Sequence, residues 1–380
     1  MKIIIAPDKF KGSLTSFEAC SAIVNGILQI NNEIEIFQFP MADGGDGFAA
    51  VLKHYTSSSD IMCHTKDPLG KEMDAAYQWN ETNKTAIIEL AAASGLVLLH
   101  KYEQNPLHTS TYGTGLQIKN AIDKGAERVI LGLGGSATND AGTGILAALG
   151  FQFYDINDQL LLPAGKNLLL IEKITPPSFI PSVKFEIACD VQNKMHGQDG
   201  AAYTYAAQKG ANDKEIKQLD EGLNHFAFVL KKQTGKSVSE IPGTGAAGAV
   251  AAGLICFFDV SLKEGTKMII DSSNVEKELK NANLLITGEG KLDKQSKEGK
   301  VVGAIAKLGA KYQVPVIACC GIADLNKNEA REMGLQDVFS LAENKNDINA
   351  SIKNAKELLQ QKIVTDLPSI IAGLSGNRSL

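Results

Sequence analysis

Six carboxylates stand in four short loops that follow strand-like runs, an arrangement suited to phosphoryl transfer. Asp8 lies in Ala6-Pro7-Asp8-Lys9-Phe10-Lys11-Gly12-Ser13, and Asp43 and Asp46 lie in Pro40-Met41-Ala42-Asp43-Gly44-Gly45-Asp46-Gly47. Asp190 closes the run Phe185–Cys189, and Glu289 and Asp293 lie in Thr287-Gly288-Glu289-Gly290-Lys291-Leu292-Asp293. Phosphoryl transfer needs a metal held by oxygen, cations against the phosphates, and a carboxylate that orients or deprotonates the acceptor hydroxyl. Each acid taken alone reads equally well as a helix cap or an Asx turn, Asp46 above all, because a helix should begin there. Together, at presumed carboxyl ends of strands, they mark the edge where open α/β sheets bind ligands. Lys11, Lys209 and Lys291 sit in or beside these loops and suit a phosphate or a carboxylate; the plainer reading of each is a solvated surface charge. His196 and His225 have no partner at metal-ligand spacing, and no Ser-His-Asp or Cys-His order is visible.

Two glycine-rich loops add a different signal. Arg128–Leu133 is a strand-like run into Gly132, Gly134 and Gly135, and a helical pattern with Ile145, Leu146 and Leu149 follows. Glycines permit positive φ and close backbone approach, so successive N–H groups can converge on an anion. A helix N-terminus would add about half a positive charge there. Ser136, Thr138 and Asn139 would cap that helix or donate to phosphate oxygens. The second loop, Pro242-Gly243-Thr244-Gly245-Ala246-Ala247-Gly248, fits G-x-G-x-x-G, but no strand precedes it, so a dinucleotide fingerprint fails on context. Either loop could instead be a turn or a closely packed small-residue helix with no ligand. Gly235-Lys236-Ser237 lacks the leading glycine of a P-loop, since Leu230 stands there.

The elements that must position these loops alternate between strand and helix, which argues an α/β fold. Strand patterns occupy 2–6, 33–39, 128–133, 184–189, 284–287 and 314–319. Thr15 and Glu18 are spaced as a capping box for a helix with Ile23, Ile27 and Ile30 on one face. Residues 74–79 and 85–90 flank a polar turn and predict an antiparallel hairpin. The expected architecture is therefore an outer, Rossmann-like, mostly parallel domain of residues 1–65 plus 241–380, with a mixed-sheet α/β domain of residues 66–240 inserted in it. Of 380 residues, 44% are hydrophobic and 21% charged, which excludes disorder as the main state. The net charge of −5, with no basic block, removes the electrostatic footprint of a nucleic-acid binder. The apolar stretch 245–258 falls short of the roughly 20 residues of a membrane span and predicts a buried helix. The first residues are too short an apolar run for a signal peptide. The six cysteines contain no CxxC pair, so a disulfide scaffold or structural zinc site is not expected and a reduced, cytoplasmic chain is.

Taken in order, nine stretches resemble the glycerate kinase family of the bacterial two-domain α/β type, which is unrelated to P-loop kinases. They are APDKFKGSL (6–14), PMADGGDG (40–47), IELAAASGL (88–96), TYGTG (111–115), GLGGSATNDAG (132–142), ACDVQN (188–193), QKGA (208–211), PGTGAAGA (242–249) and ITGEGKLDKQS (286–296). The chain departs from the usual pattern at Asp46, Phe48, Gln192, Ala206-Ala207 and Lys291, where Lys loses the bidentate fork of an expected Arg. The resemblance implies ATP-dependent phosphorylation of D-glycerate with Mg2+, the 2-phospho product favoured, in a cleft between two domains. On that basis Gly132, Gly134, Gly135, Ser136, Thr138, Gly243 and Gly245 are expected to hold nucleotide phosphates. Asp8, Ser13, Asp43, Gly44 and Gly45 are expected to hold substrate. Asp190 is the expected base, Lys11 a catalytic cation, and Glu289 with Asp293 the metal ligands. The alternatives are a kinase of another small hydroxy acid and a non-catalytic acid-binding sensor. A homo-oligomer is compatible with the sequence.

Overall fold

Lys2–Pro7 forms a strand whose Ile3, Ile4 and Ile5 are all fully buried, as a central parallel strand requires. It pairs in parallel with Glu35–Gln38 on one side and Leu284–Leu292 on the other. Val316–Ala323 and Asp337–Ser340 extend the sheet beyond Leu284–Leu292, again in parallel. The helix Ser16–Ile30 between the first two strands starts at the Thr15–Glu18 capping box that the spacing predicts. It packs against the C-terminal helix Ala355–Gly376, where Ile23 and Ile27 meet Leu359 and Ile363 in one apolar cluster. Successive connections leave the first strand in one direction, and the chain later returns to its other flank. The sheet therefore reverses its winding between Lys2–Pro7 and Leu284–Leu292, and ligands of doubly wound folds bind at that point.

This computed structural model describes residues 1–297, 300–342 and 348–376. The chain divides into two units: residues 1–43 with 266–380, built on the five-stranded sheet just described, and residues 44–265. The second unit holds a six-stranded mixed sheet. Its strands Thr85–Glu89, Arg128–Gly132, Lys184–Ala188 and Asp259–Lys263 run parallel. Glu72–Asn80 and Ser59–Lys66 continue it antiparallel. A small three-stranded sheet, Gln152–Tyr154, Leu160–Leu161 and Lys173–Thr175, completes the unit. Tyr77, Leu131, Phe153, Phe185 and Phe226 belong to its core.

The division falls elsewhere than at residues 65 and 240. Strand Ser59–Lys66 pairs with the second sheet across its whole length, which draws everything from Gly44 onward into that unit. At the other end, Asp259–Lys263 pairs with Lys184–Ala188 and keeps residues up to Gly265 there. The hairpin is present, and the 245–258 stretch forms Ala246–Phe257, helical except where left-handed backbone at Ala247, Gly248 and Ala249 interrupts its start, with most of its residues buried. Among the described residues, no helix is long and apolar enough to cross a membrane.

Candidate functional site

In the first unit, three of the expected acids stand at the reversal point of the sheet. Pro7 and Gly288 are register partners, and the Asp8 amide donates to the Gly288 carbonyl at 2.8 Å, so Asp8 and Glu289 follow paired residues on adjacent strands. Asp43 lies beyond the end of Glu35–Gln38, on the other flank of the same strand. Asp8 and Glu289 are buried, at 6% and 8% exposure. Burial pushes the Asp8 carboxyl up to about 7 against the pull of Lys9, with Asp43 and Glu289 adding repulsion. Burial likewise pushes Glu289 up to about 7, opposed by a hydrogen bond from Ser296 and by Lys300. The Glu289 Oε1 atom is buried without a hydrogen-bond partner among the described residues. A buried carboxylate oxygen without a partner is costly and fits a cation. Lys9 Nζ lies 3.1 Å from Asp43 Oδ1 and 4.0 Å from Asp8 Oδ1. Its position between two acids was hidden in the sequence, where Lys11, Lys209 and Lys291 drew attention instead.

The neighbouring candidates differ in placement. Lys11 is exposed on the turn that closes Phe10 onto Leu14, and Ser13 Oγ donates to the Phe10 carbonyl at 3.0 Å. Asp293 pairs with Lys291 at 3.2 Å, and Lys291 also reaches Asp324 at 3.1 Å. Among the described residues, no three His, Cys, Asp or Glu side chains are grouped to hold a metal by themselves. A magnesium ion that arrives with phosphates needs only one or two carboxylates from the protein, so Glu289 with Asp8 or Asp43 suffices.

In the second unit, loops from several strand ends converge on one another. Arg128–Gly132 delivers Gly134, which packs so closely on the 44–46 turn that a Cβ there would sit 2.4 Å from the Gly45 Cα. Gly135, exposed with φ +71°, stands beside the Asp46 carboxylate. Lys184–Ala188 leads to Asp190, whose Oδ1 accepts the Gly265 amide at 2.9 Å and whose Oδ2 faces Gly44. Glu89, at the end of Thr85–Glu89, accepts the Ala49 amide at 2.8 Å. Gly44, Gly45, Gly132, Gly134, Gly135 and Asp190 are thus neighbours.

Several local expectations are corrected by these contacts. The helix after Gly47 starts with no side-chain cap, so Asp46 does not serve as its N-cap. The helix after the 132–138 loop begins only at Thr143, with Gly142 as its uncapped N-cap, so Ser136, Thr138 and Asn139 do not cap it and its dipole does not open at the loop. The buried carboxylate of Asp140, unnoticed in the sequence, does that local work. It accepts the amide and hydroxyl of Thr111 at 2.8 and 2.9 Å and the amides of Gly142 and Gly144 at 3.1 and 3.2 Å.

Behind the loop lies Lys209, only 3% exposed, which excludes the solvated-surface reading. Its Nζ donates to Ser136 Oγ at 2.8 Å and to the Thr138 carbonyl at 2.7 Å. Burial pushes this ammonium down to about 7, with Asp140 pulling it back up. Gly243 and Gly245 are buried, the first beside Cys189 Sγ and the second against the Lys194 carbonyl. Ala247, Gly248 and Ala249 adopt positive φ in succession, 53°, 71° and 69°. Gly248 lies on Thr138 and Asn139, where a Cβ would come within 2.3 Å of the Thr138 carbonyl oxygen. Thr138 Oγ1 and both side-chain polar atoms of Asn139 are buried with no partner among the described residues.

Comparison with known proteins places this arrangement among the kinases. The sequence model described as "Glycerate kinase family" matches residues 3–367. Glycerate kinase of Bacillus cereus is 40% identical over 363 residues, covering 95% of each chain. Glycerate 2-kinase of Escherichia coli is 37% identical over 344 residues, covering 90% of each. A crystal structure assigned as glycerate kinase 2 from Salmonella typhimurium LT2 matches with a TM-score of 0.84, 34% identity and full coverage of both chains. This α/β chain, built on two large sheets and one small one, is an enzyme of the kinase class. It belongs to the glycerate kinase family.

Proposed function

We propose that this kinase transfers the terminal phosphoryl group of ATP to a hydroxyl of D-glycerate, with Mg2+ and with 2-phosphoglycerate as the favoured product. The observation that carries the reading is the buried pair Asp8 and Glu289, with its unpartnered Glu289 Oε1, at the winding reversal of a parallel sheet in a chain of this family. An acid site of that kind is stabilised by a cation, and Mg2+ neutralises charge on transferring phosphates when bound. Glu289 would hold it, with Asp8 and Asp43 alongside; the ion pair to Lys291 gives Asp293 a weaker claim.

In this reading the remaining residues bind and orient. Ser13 Oγ donates its hydrogen bond to the Phe10 carbonyl, so its oxygen is left to accept one from a hydroxyl of glycerate, with Lys11 offering charge to the substrate carboxylate. Asp43, Gly44 and Gly45 complete the substrate contacts. Asp190, held by the Gly265 amide, orients or deprotonates the acceptor hydroxyl. Gly132, Gly134, Gly135, Ser136 and Thr138 cradle nucleotide phosphates, with Gly243 and Gly245 of the second glycine loop as further phosphate contacts, and Gly248 packs on Thr138 from the 242–249 side. The test is ADP release measured with D-glycerate, mevalonate, homoserine and galactose as acceptors, each with Mg2+ and with EDTA. Glycerate-dependent, Mg2+-dependent release is expected. Release that prefers another acceptor, or binding of glycerate without any turnover, would overturn the assignment.

A further inference from the structure

The buried Lys209 is spent on two atoms of one loop, and the direction of those bonds has a chemical consequence. An ammonium group only donates, so Ser136 Oγ accepts from Lys209, and its own proton is left for an acceptor elsewhere. The Thr138 carbonyl takes a second proton of the same ammonium at 2.7 Å, which ties both ends of the 136–138 segment to one cation. Lys209 stands on a short 3-10 turn, Ala207–Lys209, whose Gly210 packs on the backbone of Gln104 so tightly that a Cβ would come within 2.0 Å of the Gln104 carbonyl oxygen. The backbone that carries Lys209 is therefore held by close packing, and its buried ammonium is held by the two hydrogen bonds to the loop. Ser136 itself is 8% exposed and follows the exposed Gly135, so it lies just beneath the loop surface.

We propose that Lys209 is a positioning residue for nucleotide binding: it fixes the 136–138 segment and turns the Ser136 hydroxyl into an obligatory donor toward a phosphate oxygen. The lysine does not touch the nucleotide. Its charge is passed on through Ser136, whose O–H becomes a stronger donor because its oxygen already accepts a charge-assisted bond. This inference rests on the reading of residues 132–138 as the phosphate loop.

The experiment compares Lys209→Met, Ser136→Ala and the double variant with the intact enzyme, reading KM for MgATP, KM for D-glycerate and kcat separately. Ser136→Ala removes one oxygen and keeps the fold, so it decides the matter even where Lys209→Met does not fold. Each single variant should raise KM for MgATP by about tenfold or more, as loss of a charge-assisted hydrogen bond does, with KM for glycerate within about twofold. The double variant should be no worse than the poorer single one, because both remove the same donor. Unchanged KM for MgATP in Ser136→Ala overturns the proposal, as do additive effects in the double variant or equal increases in both KM values. Isothermal titration of the intact enzyme with MgATP separates this failure from that of the underlying reading. No nucleotide binding there would overturn both; binding that is insensitive to Ser136→Ala overturns only the role of Lys209.

Discussion

The acids of the first unit and the glycine loops of the second solve opposite problems. At the reversal of the five-stranded sheet, ionisable side chains are forced together and buried, and the energetic strain is electrostatic: Asp8 and Glu289 are both driven up to about 7. In the 44–265 unit, backbones are forced together, and the strain is steric and conformational. Gly134 touches Gly45, Gly248 touches Thr138, and three successive residues from Ala247 take positive φ. The difference teaches that a glycine-rich motif has two meanings at once. Gly135 is exposed beside the Asp46 carboxylate at φ +71°, whereas Gly245 and Gly248 are buried and are glycine because neighbouring backbone lies where a Cβ would be.

The largest effect expected from this contrast is chemical. Asp190→Asn keeps the shape of its loop but removes the proposed base, so kcat should fall roughly 10²- to 10⁴-fold with ATP affinity nearly unchanged. Near-normal turnover in that variant would move the base elsewhere. Next comes packing: Gly134→Ala must displace the 44–46 turn and should lower unfolding stability by about 3 kcal/mol in urea titration. An unchanged midpoint would show that the loops yield easily and that Gly134 is free for ligand approach alone.

A smaller effect should separate the two regions by pH. A carboxyl whose folded pKa lies above its unfolded value keeps a proton that the unfolded chain releases. For Asp8, raised from 3.8 to about 7, stability is therefore highest below the lower value, falls as pH rises through that window, and levels off above it. In EDTA-treated protein that fall should be visible in urea titrations across the window, and Asp8→Asn should flatten the slope while raising stability at pH 8. A slope unchanged by that substitution would place the electrostatic strain elsewhere. The smallest effect belongs to Gly12→Ala, at φ +80° with nothing within 4 Å of the added methyl, which should cost about 1 kcal/mol from backbone strain alone.

What the sequence made legible was local. The Thr15–Glu18 capping box, the buried Ile3–Ile5 strand and the hairpin around 80–85 depend on neighbours a few residues away. Strand Ser59–Lys66 escaped because it lies at a sheet edge, where apolar Met62 stands on the exposed face and polar Thr65 on the buried one, which blurs the alternation. Leu284–Leu292 runs past Thr287 because Gly288 and Gly290, which read as a loop, let the neighbouring backbone approach closely. The acids were legible as a group, since the strand patterns of the sequence stop where they begin, although Glu289 lies within Leu284–Leu292 rather than at its end. The site of Lys209 was not: its partners Ser136 and Thr138 are 73 and 71 residues away, and only the fold turns an ordinary lysine into a buried cation.

The central claim is phosphoryl transfer to glycerate, and ³¹P NMR of the intact enzyme with Mg2+, ATP and D-glycerate tests it most directly. A new phosphate ester whose coupling matches phosphate on the 2-hydroxyl, formed in step with ADP, is the predicted result. Coupling to the terminal CH2 would retain the kinase and contradict the proposed product, and intact ATP beside unchanged glycerate would contradict the claim itself.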